Sequence, residues 1–422
     1  MFLLCVVLCV FVWAGPVYGA GFSLYQQGTA AMAQGGAFVA DASDPSAIFY
    51  NPAGISQLKR PEFYSATIFN YPDREFHGPG GDFSQTNHRL YRTPGFYMAG
   101  PLNNRVSIGL GFFIPWGLGS AWPPEWQGRY ITTFSSLRTY NLNPVISVKP
   151  FENLSVAAGF NAMWSVVRLK RAVPVIIGPF QLPDGQSNLG GEGEGVGYNL
   201  GALWEPISGI KLGVSFRSEV KVTHTGNLDV TLPSQLPAPF HPQRNIGGWA
   251  DLTYPPILAM GIAYSRFKPF TFEFDAVWTG WSTYDVLRVD IQSPIRVNGL
   301  KTWSVVQPKN WRDSWAFRFG ANYEVKPGMK LRVGYVYDLT PVPDESFEPQ
   351  LPDANRHIFA VGSDLKFWRF TLGIAYNFIL LEDRTKVSAI GFNGVPLPTP
   401  FQANGRYETH IHSLGLSFGF QF

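Results

Sequence analysis

Cysteine is nearly absent from this sequence. The two cysteines, Cys5 and Cys9, both lie in an uncharged stretch, residues 2–14, that has the length and composition of a signal-peptide core. Small residues follow it, so we expect residues 1–19 to be a signal peptide that is cut after Gly19; a retained single-helix anchor is the alternative. The mature chain would then contain no cysteine, which excludes a disulfide, a thiolate metal site and a cysteine nucleophile.

Charge is scarce as well. Charged residues make up 15% of the 422 residues, against about 25% in typical soluble domains. The net charge is +3, and the basic residues are interspersed with acidic ones, which argues against nucleic acid as a partner. Long helical spans are not expected either. The mean hydropathy is −0.02, and the uncharged window at residues 106–124 is broken by three prolines.

Glycine, proline and aromatic residues are abundant instead. The chain has 44 glycines and 34 prolines, and aromatic residues reach 15%. This mixture is too apolar for a disordered chain and too rich in helix breakers for a helical one. It suits a transmembrane β-barrel, because the strands of such a barrel alternate apolar and polar residues and their hydropathy averages to about zero.

Alternating residues recur along the mature chain. In residues 414–422 every second residue is leucine or phenylalanine, and those between are glycine, serine or glutamine. This period of two predicts strands with one apolar and one polar face. Fourteen segments show such a pattern: 62–71, 92–101, 105–114, 136–149, 153–171, 192–205, 210–224, 251–265, 269–285, 314–325, 329–339, 356–366, 369–382 and 406–422.

The connections between these segments alternate between tight turns and long loops. Residues 149–152 and 326–328 are tight turns, whereas residues 225–250 and 340–355 form long connections. This asymmetry predicts an antiparallel barrel with short periplasmic turns and long extracellular loops. We therefore expect a multi-pass protein of the bacterial outer membrane, in contact with its lipid and lipopolysaccharide.

The last strand carries a further signal. It ends on Phe422, with an aromatic or aliphatic residue at every second position before it. That pattern resembles the C-terminal signal by which outer-membrane barrels are recognised by the barrel-assembly machinery. A plain hydrophobic strand end is the alternative. We expect a monomer.

The region before the first strand has no strand pattern. Residues 20–58 open with Ala-Gly-Phe, continue with small residues and contain the motif Asn51, Pro52 and Ala53. Together with residues 278–289 and 310–362, they resemble the long-chain fatty-acid transporter (FadL/TodX) family of outer-membrane proteins. The region 170–250 cannot be matched residue by residue.

The resemblance implies an all-β fold and a transport function. Residues 59–422 would form a transmembrane antiparallel barrel of about fourteen strands, and residues 20–58 would close its lumen as a hatch. Small residues in the hatch allow close packing on the inner wall, and we expect Asn51 to tie it to the first strand. The implied function is passive uptake of a hydrophobic compound, a long-chain fatty acid or an aromatic hydrocarbon, by loop capture, a lumen pocket and lateral exit.

Lateral exit, as the resemblance implies it, requires a kink in the third strand. That strand contains Gly109, Gly111 and Pro115. Glycine weakens strand pairing and proline cannot donate to the ladder, so a wall defect is chemically plausible here. The alternative is an ordinary glycine-rich barrel strand.

The long loops are unusually apolar for a porin. Two of them carry aliphatic and aromatic residues that would form a binding groove for a hydrophobic ligand. These residues are Val175, Ile176, Ile177, Phe180 and Leu182 in one loop, and Leu228, Leu236 and Phe240 in another. The alternative is that the loops pack on each other and cap the barrel.

Lumen-facing cations are candidates for binding a carboxylate head group. Arg217, Arg318 and Arg332 fall on polar strand faces, and several carboxylates, among them Glu273 and Asp275, oppose them. Most of these charges should pair with one another, because buried charges need partners.

Enzyme signals are weak. The seven histidines are scattered, and no Gly-x-Ser-x-Gly elbow occurs. We predict no catalytic residues, no cofactor and no metal site. The competing functions are a general diffusion porin and, with less support, an outer-membrane hydrolase.

Overall fold

The computed structural model describes residues 21–177, 180–233, 243–297 and 300–422. The expected signal peptide therefore lies outside the described residues.

Two short helices, α1 (Thr29–Ala33) and α2 (Ala47–Tyr50), precede the strands. Single 3-10 turns span Pro52–Gln57, Trp281–Thr283, Asp344–Ser346 and Thr399–Phe401. The strands are β1 (Glu62–His77), β2 (Phe83–Gln85), β3 (Tyr91–Pro101), β4 (Val106–Phe113), β5 (Gly117–Ala121), β6 (Phe134–Phe151), β7 (Leu154–Ile177), β8 (Phe180–Ile207), β9 (Ile210–Arg217), β10 (Val220–Thr231), β11 (Gln243–Tyr254), β12 (Ile257–Tyr264), β13 (Phe270–Thr279), β14 (Val286–Val297), β15 (Leu300–Pro308), β16 (Ser314–Lys326), β17 (Met329–Asp338), β18 (Arg356–Phe367), β19 (Phe370–Leu381), β20 (Arg384–Lys386), β21 (Gly391–Phe392), β22 (Val395–Pro396) and β23 (Gly405–Gln421).

The strands close into a ring. Each wall strand pairs antiparallel with the next, and β23 pairs with β1 from Glu62↔Gln421 to His77↔Arg406. Among the described residues, the ring has fourteen positions, which we number as wall strands one to fourteen. In order they are β1, β3, β4 with β5, β6, β7, β8, β9 with β10, β12 with β11, β13, β16, β17, β18, β19 and β23. The predicted fourteen-stranded antiparallel barrel is confirmed.

Several strands extend beyond the predicted bounds at the end of the barrel that carries the long connections. The first wall strand continues to His77, and β8 begins at Phe180. In the connection between the ninth and tenth wall strands, β14 pairs with β11 and forms a hairpin with β15. Sequence periodicity misses these extensions because strand residues outside the lipid no longer need an apolar face.

The outer surface of the ring is apolar and the inner surface is polar. On β23, Leu416 is 46% exposed whereas Ser413 is fully buried, so the large apolar side chains point away from the lumen. This inside-out arrangement is the one expected of a barrel in lipid. No α-helix among the described residues is long and apolar enough to cross a membrane.

Residues 21–58 lie inside the ring and are buried almost throughout. Glycines on the wall make room for them. A Cβ at Gly334 would lie 2.2 Å from the backbone carbonyl carbon of Gln34, and one at Gly213 would lie 2.2 Å from the carbonyl oxygen of Val39. Only a residue without a side chain allows the two backbones to approach this closely.

Two carboxylates of β13 anchor the segment. Asp275 Oδ2 accepts hydrogen bonds from the amides of Phe38 and Val39, at 2.8 and 3.0 Å. Glu273 Oε1 accepts from the amides of Ala40 and Asp41, at 2.6 and 3.1 Å. The two carboxyl groups accept from four consecutive amides, so β13 holds residues 38–41 of the segment by their backbone.

The first prediction concerns this anchor. Replacing Glu273 and Asp275 by Ala leaves four buried backbone amides without their acceptors, at a cost of about 1–3 kcal/mol each. We expect residues 21–58 to loosen and ion conductance in planar bilayers to rise, while the barrel still assembles and migrates heat-modifiably on gels. The matched control is Glu324→Ala, an exposed carboxylate on β16. Unchanged conductance in the double variant would show that the anchor does not hold the segment.

Candidate functional site

The third wall strand is interrupted. Between β4 and β5, residues Ile114, Pro115 and Trp116 leave the ladder, and Pro115 has no amide proton to donate. Backbone groups of the N-terminal segment, which lies inside the barrel, pair with the backbone groups that the interruption leaves without a partner. The amide of Leu24 donates to the carbonyl of Pro115, and the amide of Gly117 donates to the carbonyl of Phe22, both at 2.9 Å.

The interruption opens a seam between the second and third wall strands. The pairing of β3 with β4 stops at Phe96↔Phe112. Beyond that point β5 pairs only with β6, and residues 91–95 of β3 pair only with β1. Over this stretch of the wall, no ladder joins the two neighbours among the described residues.

The predicted glycines of the third strand have a different role. Gly109 and Gly111 are paired on both sides within β4. A Cβ at either position would lie 2.8–2.9 Å from a side-chain carbon of Ile48. The defect therefore centres on Pro115, and the two glycines make space for the N-terminal segment.

A cavity of about 530 Å³ lies behind the seam. Tyr91, Thr93 and Pro94 of β3 form one side, and residues 117–119 of β5 form the other. Residues 23–26 of the N-terminal segment line its inner surface. We call this the seam cavity.

A second, more apolar cavity of about 120 Å³ lies towards the extended ends of the strands. We call it the upper cavity. Its walls are mainly aliphatic and aromatic, from wall strands three to eight and from the β14–β15 hairpin. They include Leu118, Val167, Leu169, Leu189, Trp249, Leu252, Leu287 and Val289.

Phe22 lies at the wall of the upper cavity, next in sequence to residues that line the seam cavity. Its ring contacts five aromatic rings, with centroid distances of 4.7–6.1 Å. Those rings belong to Trp116, Tyr254, Trp281, Tyr284 and Trp311. Phe22 lines the upper cavity, whereas Ser23 and Leu24 line the seam cavity, and both cavities share Leu118. Leu137 and Leu351 also line both cavities, so the residues around Phe22 form the boundary between them.

A buried ion pair lies at the wall of the upper cavity. Lys309, which is 2% exposed, contacts the carboxylate of Glu348 and donates to Gln307 Oε1 at 3.1 Å. Burial lowers the pKa of the Lys309 ammonium to about 7, so its charge depends on the carboxylate that faces it. Sequence reasoning missed this pair because 39 residues separate its members, and neither falls on a predicted strand.

The three predicted head-group cations line neither the upper cavity nor the seam cavity. Arg332 pairs with Asp364 at 2.8 Å. Arg318 donates to the carbonyl of Gly36 at 3.2 Å. Arg217 contacts Asn161 Oδ1 and has no ion pair with a described residue. Arg217 and Arg318 line a third, small cavity of about 60 Å³.

The predicted loop groove is mostly strand. Val175 pairs with Leu182, and the pairing continues through Ile176 and Ile177 to Phe180, so these residues close the hairpin of β7 and β8. Leu228 lies on β10 and packs against Ile246 and Ile291. Leu236 and Phe240 lie outside the described residues. The apolar lining of the upper cavity comes from other residues, lower on the same strands.

The predicted motif Asn51, Pro52 and Ala53 is fully buried. Asn51 Nδ2 donates to the carbonyls of Val39 and Ala202, at 2.8 and 2.9 Å, and its Oδ1 accepts from the amide of Ala53 at 3.2 Å. Ala202 belongs to β8, so Asn51 ties the segment to the sixth wall strand. From the sequence we expected a tie to the first strand instead.

Comparisons with known proteins agree with this architecture. Residues 8–422 match the family described as "Outer membrane protein transport protein (OMPP1/FadL/TodX)". The chain is 25% identical to the "47 kDa outer membrane protein" of Pasteurella multocida, over 93% of each. It is 23% identical to the "Long-chain fatty acid transport protein" of Escherichia coli K12, over 83% of this chain and 85% of the relative.

Solved structures share the fold. A Pseudomonas aeruginosa FadL homologue superposes with a TM-score of 0.81 at 20% identity, covering 96% of this chain and all of that one. The Ralstonia pickettii toluene transporter TbuX gives a TM-score of 0.70 at 15% identity, over 94% and 98% of the two chains.

The second prediction concerns Asn51. Asn51→Ala leaves the buried carbonyls of Val39 and Ala202 without their donor, which should cost about 1–3 kcal/mol of unfolding free energy. Urea unfolding in lipid vesicles, followed by tryptophan fluorescence, measures the change. The control is Asn103→Ala, an exposed asparagine in a short turn. A loss no larger than that of the control would contradict an anchoring role.

Proposed function

The chain belongs to the FadL/TodX family of outer-membrane transport proteins, and from that premise we propose that it admits long-chain fatty acids or aromatic hydrocarbons by passive diffusion. Relatives are named as long-chain fatty acid transport proteins, and structural neighbours include toluene transporters. The observation that carries the proposal is the pair of cavities, one apolar and one behind an open seam, which share Leu118, Leu137 and Leu351 and meet beside Phe22.

Transfer of a hydrophobic molecule from water into the apolar cavity is favourable. Burying apolar surface contributes roughly 25 cal/mol per Å², which a water-filled pore cannot offer. We propose that the ligand first enters the upper cavity, which faces the exterior. The residues that line it on β8, β11 and β14 take the place of the loop groove expected from the sequence.

The ligand must then pass Phe22. In our proposal residues 20–58 act as a hatch that shifts at residues 21–26 and stays anchored by Asn51 and by the carboxylates of β13. The seam cavity receives the ligand, and the seam releases it sideways into the membrane. Lateral release keeps the apolar molecule out of the aqueous periplasm.

A general porin does not fit this interior, because residues 21–58 occupy the ring. A hydrolase does not fit either. The nearest arrangement is Ser165 Oγ, which is 2.7 Å from His224 Nε2 and 2.5 Å from Tyr254 Oη. Ser165 is fully buried and does not line the upper cavity, so it is not placed to attack a bound ester. These contacts satisfy buried polar groups.

Two further parts of the proposal concern assembly. We propose that the C-terminal strand, ending at Phe422, is recognised by the barrel-assembly machinery. Because β1 and β23 close the ring within one chain, we also propose that the working form is a monomer, surrounded by lipid and lipopolysaccharide.

The third prediction tests the lateral route. Thr93 is buried on β3 and faces the seam cavity. Thr93→Trp should fill the opening and reduce uptake of labelled ligand into proteoliposomes by about tenfold or more, while ion conductance stays low in both proteins. The matched control is Met98→Trp, on the outward face of the same strand. Normal uptake by Thr93→Trp would contradict exit through the seam, and a large open conductance in the wild type would favour a porin.

The fourth prediction separates the two substrate classes. Lys309 is the one lysine or arginine among the described residues that line the upper cavity. Lys309→Met keeps the volume but removes a charged hydrogen-bond donor worth about 1.5–3 kcal/mol, which is about a tenfold to hundredfold change in affinity. We expect oleate uptake to fall by that factor and toluene uptake to stay the same.

Glu348→Gln is the companion variant. It keeps the shape of Glu348 but removes the carboxylate on which the charge of Lys309 depends, so oleate uptake should fall here too, while toluene uptake stays the same. Equal losses for oleate and toluene in Lys309→Met would show that the lysine only supports the fold of the cavity.

A further inference from the structure

A group of metal-ligating side chains lies on the outside of the barrel, where the first and last wall strands meet. Glu75 and His77 alternate with the fully buried Phe76, so they point outwards from the extended end of β1. Glu408 points outwards from β23. One donor atom from each of these three residues lies within 4.8 Å of the others, the one such group among the described parts of the chain.

The two distances from His77 match those between ligands of a tetrahedral metal ion. His77 Nε2 lies 3.3 Å from Glu75 Oε2 and 3.4 Å from Glu408 Oε1. Two ligands at ~2.0–2.1 Å from a tetrahedral zinc ion are ~3.3–3.4 Å apart. His77 Nε2 forms no hydrogen bond with either carboxylate, although it is shielded from solvent. The nitrogen therefore faces both oxygens in a geometry that suits an ion between them.

The strand register adds an electrostatic reason. Glu75 and Glu408 are directly opposite each other in the β1–β23 ladder, and like charges in that position destabilise a strand pair. Arg406 relieves part of this repulsion, because its guanidinium contacts Glu408 and lies 3.7 Å from Asp383. A divalent cation between the two carboxylates would relieve the rest.

We propose that Glu75, His77 and Glu408 bind a divalent transition-metal ion, with zinc the best match, that links the first and last strands of the barrel. One imidazole and two carboxylates form a ligand set that such ions accept. A water molecule would supply the fourth ligand. His77 is 37% exposed as a side chain, so an ion can reach the site from outside.

Neighbouring histidines on the same outer surface have other partners. His357 lies 3.4 Å from a single carboxylate, Glu382, and its Nδ1 is 2.9 Å from the hydroxyl of Tyr335. His410 likewise faces one carboxylate, Asp73, at 3.6 Å. Neither imidazole has a second carboxylate beside it among the described residues. His357 therefore serves as a matched control.

The fifth prediction is a binding experiment on the full chain in detergent. After EDTA treatment and its removal, ZnCl₂ is added in equilibrium dialysis, and bound zinc is measured by mass spectrometry. We expect one ion per wild-type chain. His77→Ala should weaken binding by at least about tenfold, the lower end of what the loss even of an outer partner costs. His357→Ala should bind as the wild type does.

Two further measurements make the assignment specific. Arg406→Gln should tighten zinc binding, because it removes the cation that competes for Glu408. Zinc should raise the temperature of the heat-modifiable gel shift in the wild type and not in His77→Ala, since the ion joins the two strands that close the ring. Absence of a single bound zinc, equal binding by His77→Ala, or equal affinity for Mg²⁺ or Ca²⁺ would each overturn the proposal.

Discussion

Everything in this structure depends on one constraint: within lipid, each backbone amide and carbonyl must find its partner inside the protein. A closed ring of fourteen strands meets that constraint without any help. Around Pro115 the third wall strand lacks backbone partners in the second wall strand. Hydrogen bonds with Phe22 and Leu24, inside the barrel, replace them. The opening in the wall and the segment in the lumen are therefore parts of a single arrangement, and neither would be stable in this form without the other.

The energetics of passage follow from the same arrangement. Phe22 contacts five aromatic rings, and aromatic pairs contribute about 0.5–1.5 kcal/mol each beyond burial. A ligand the size of a benzene derivative buries about as much surface as a phenylalanine side chain, ~150–250 Å², which is worth roughly 4–6 kcal/mol. The two quantities are comparable. In the proposed route a bound ligand would replace the contacts that Phe22 loses, whereas water would not, so the same segment would admit apolar molecules and exclude ions.

Sequence reasoning identified the wall well and the interior poorly. Alternation along each strand is a local property, so the fourteen strands and their apolar outer faces, as on β23, could be predicted directly. The anchors at Glu273 and Asp275 could not, because they act on backbone amides more than 230 residues away. Lys309 was missed because it follows a hairpin that stands outside the lipid. Asn51 was singled out as an anchor, but its contact with β8 depends on the path of the segment through the lumen, which no local pattern encodes.

The length of β7 and β8 has a consequence for the cell surface. A strand of the 28 residues in β8 is ~90 Å long at ~3.3 Å per residue, and with a tilt of ~40° it rises about 70 Å, against an apolar band of about 25 Å. More than half of β8, the longest described strand, therefore lies outside the apolar band. Antibodies and phages that approach the cell would therefore meet the described ends of β7 and β8 well before they reach the apolar band.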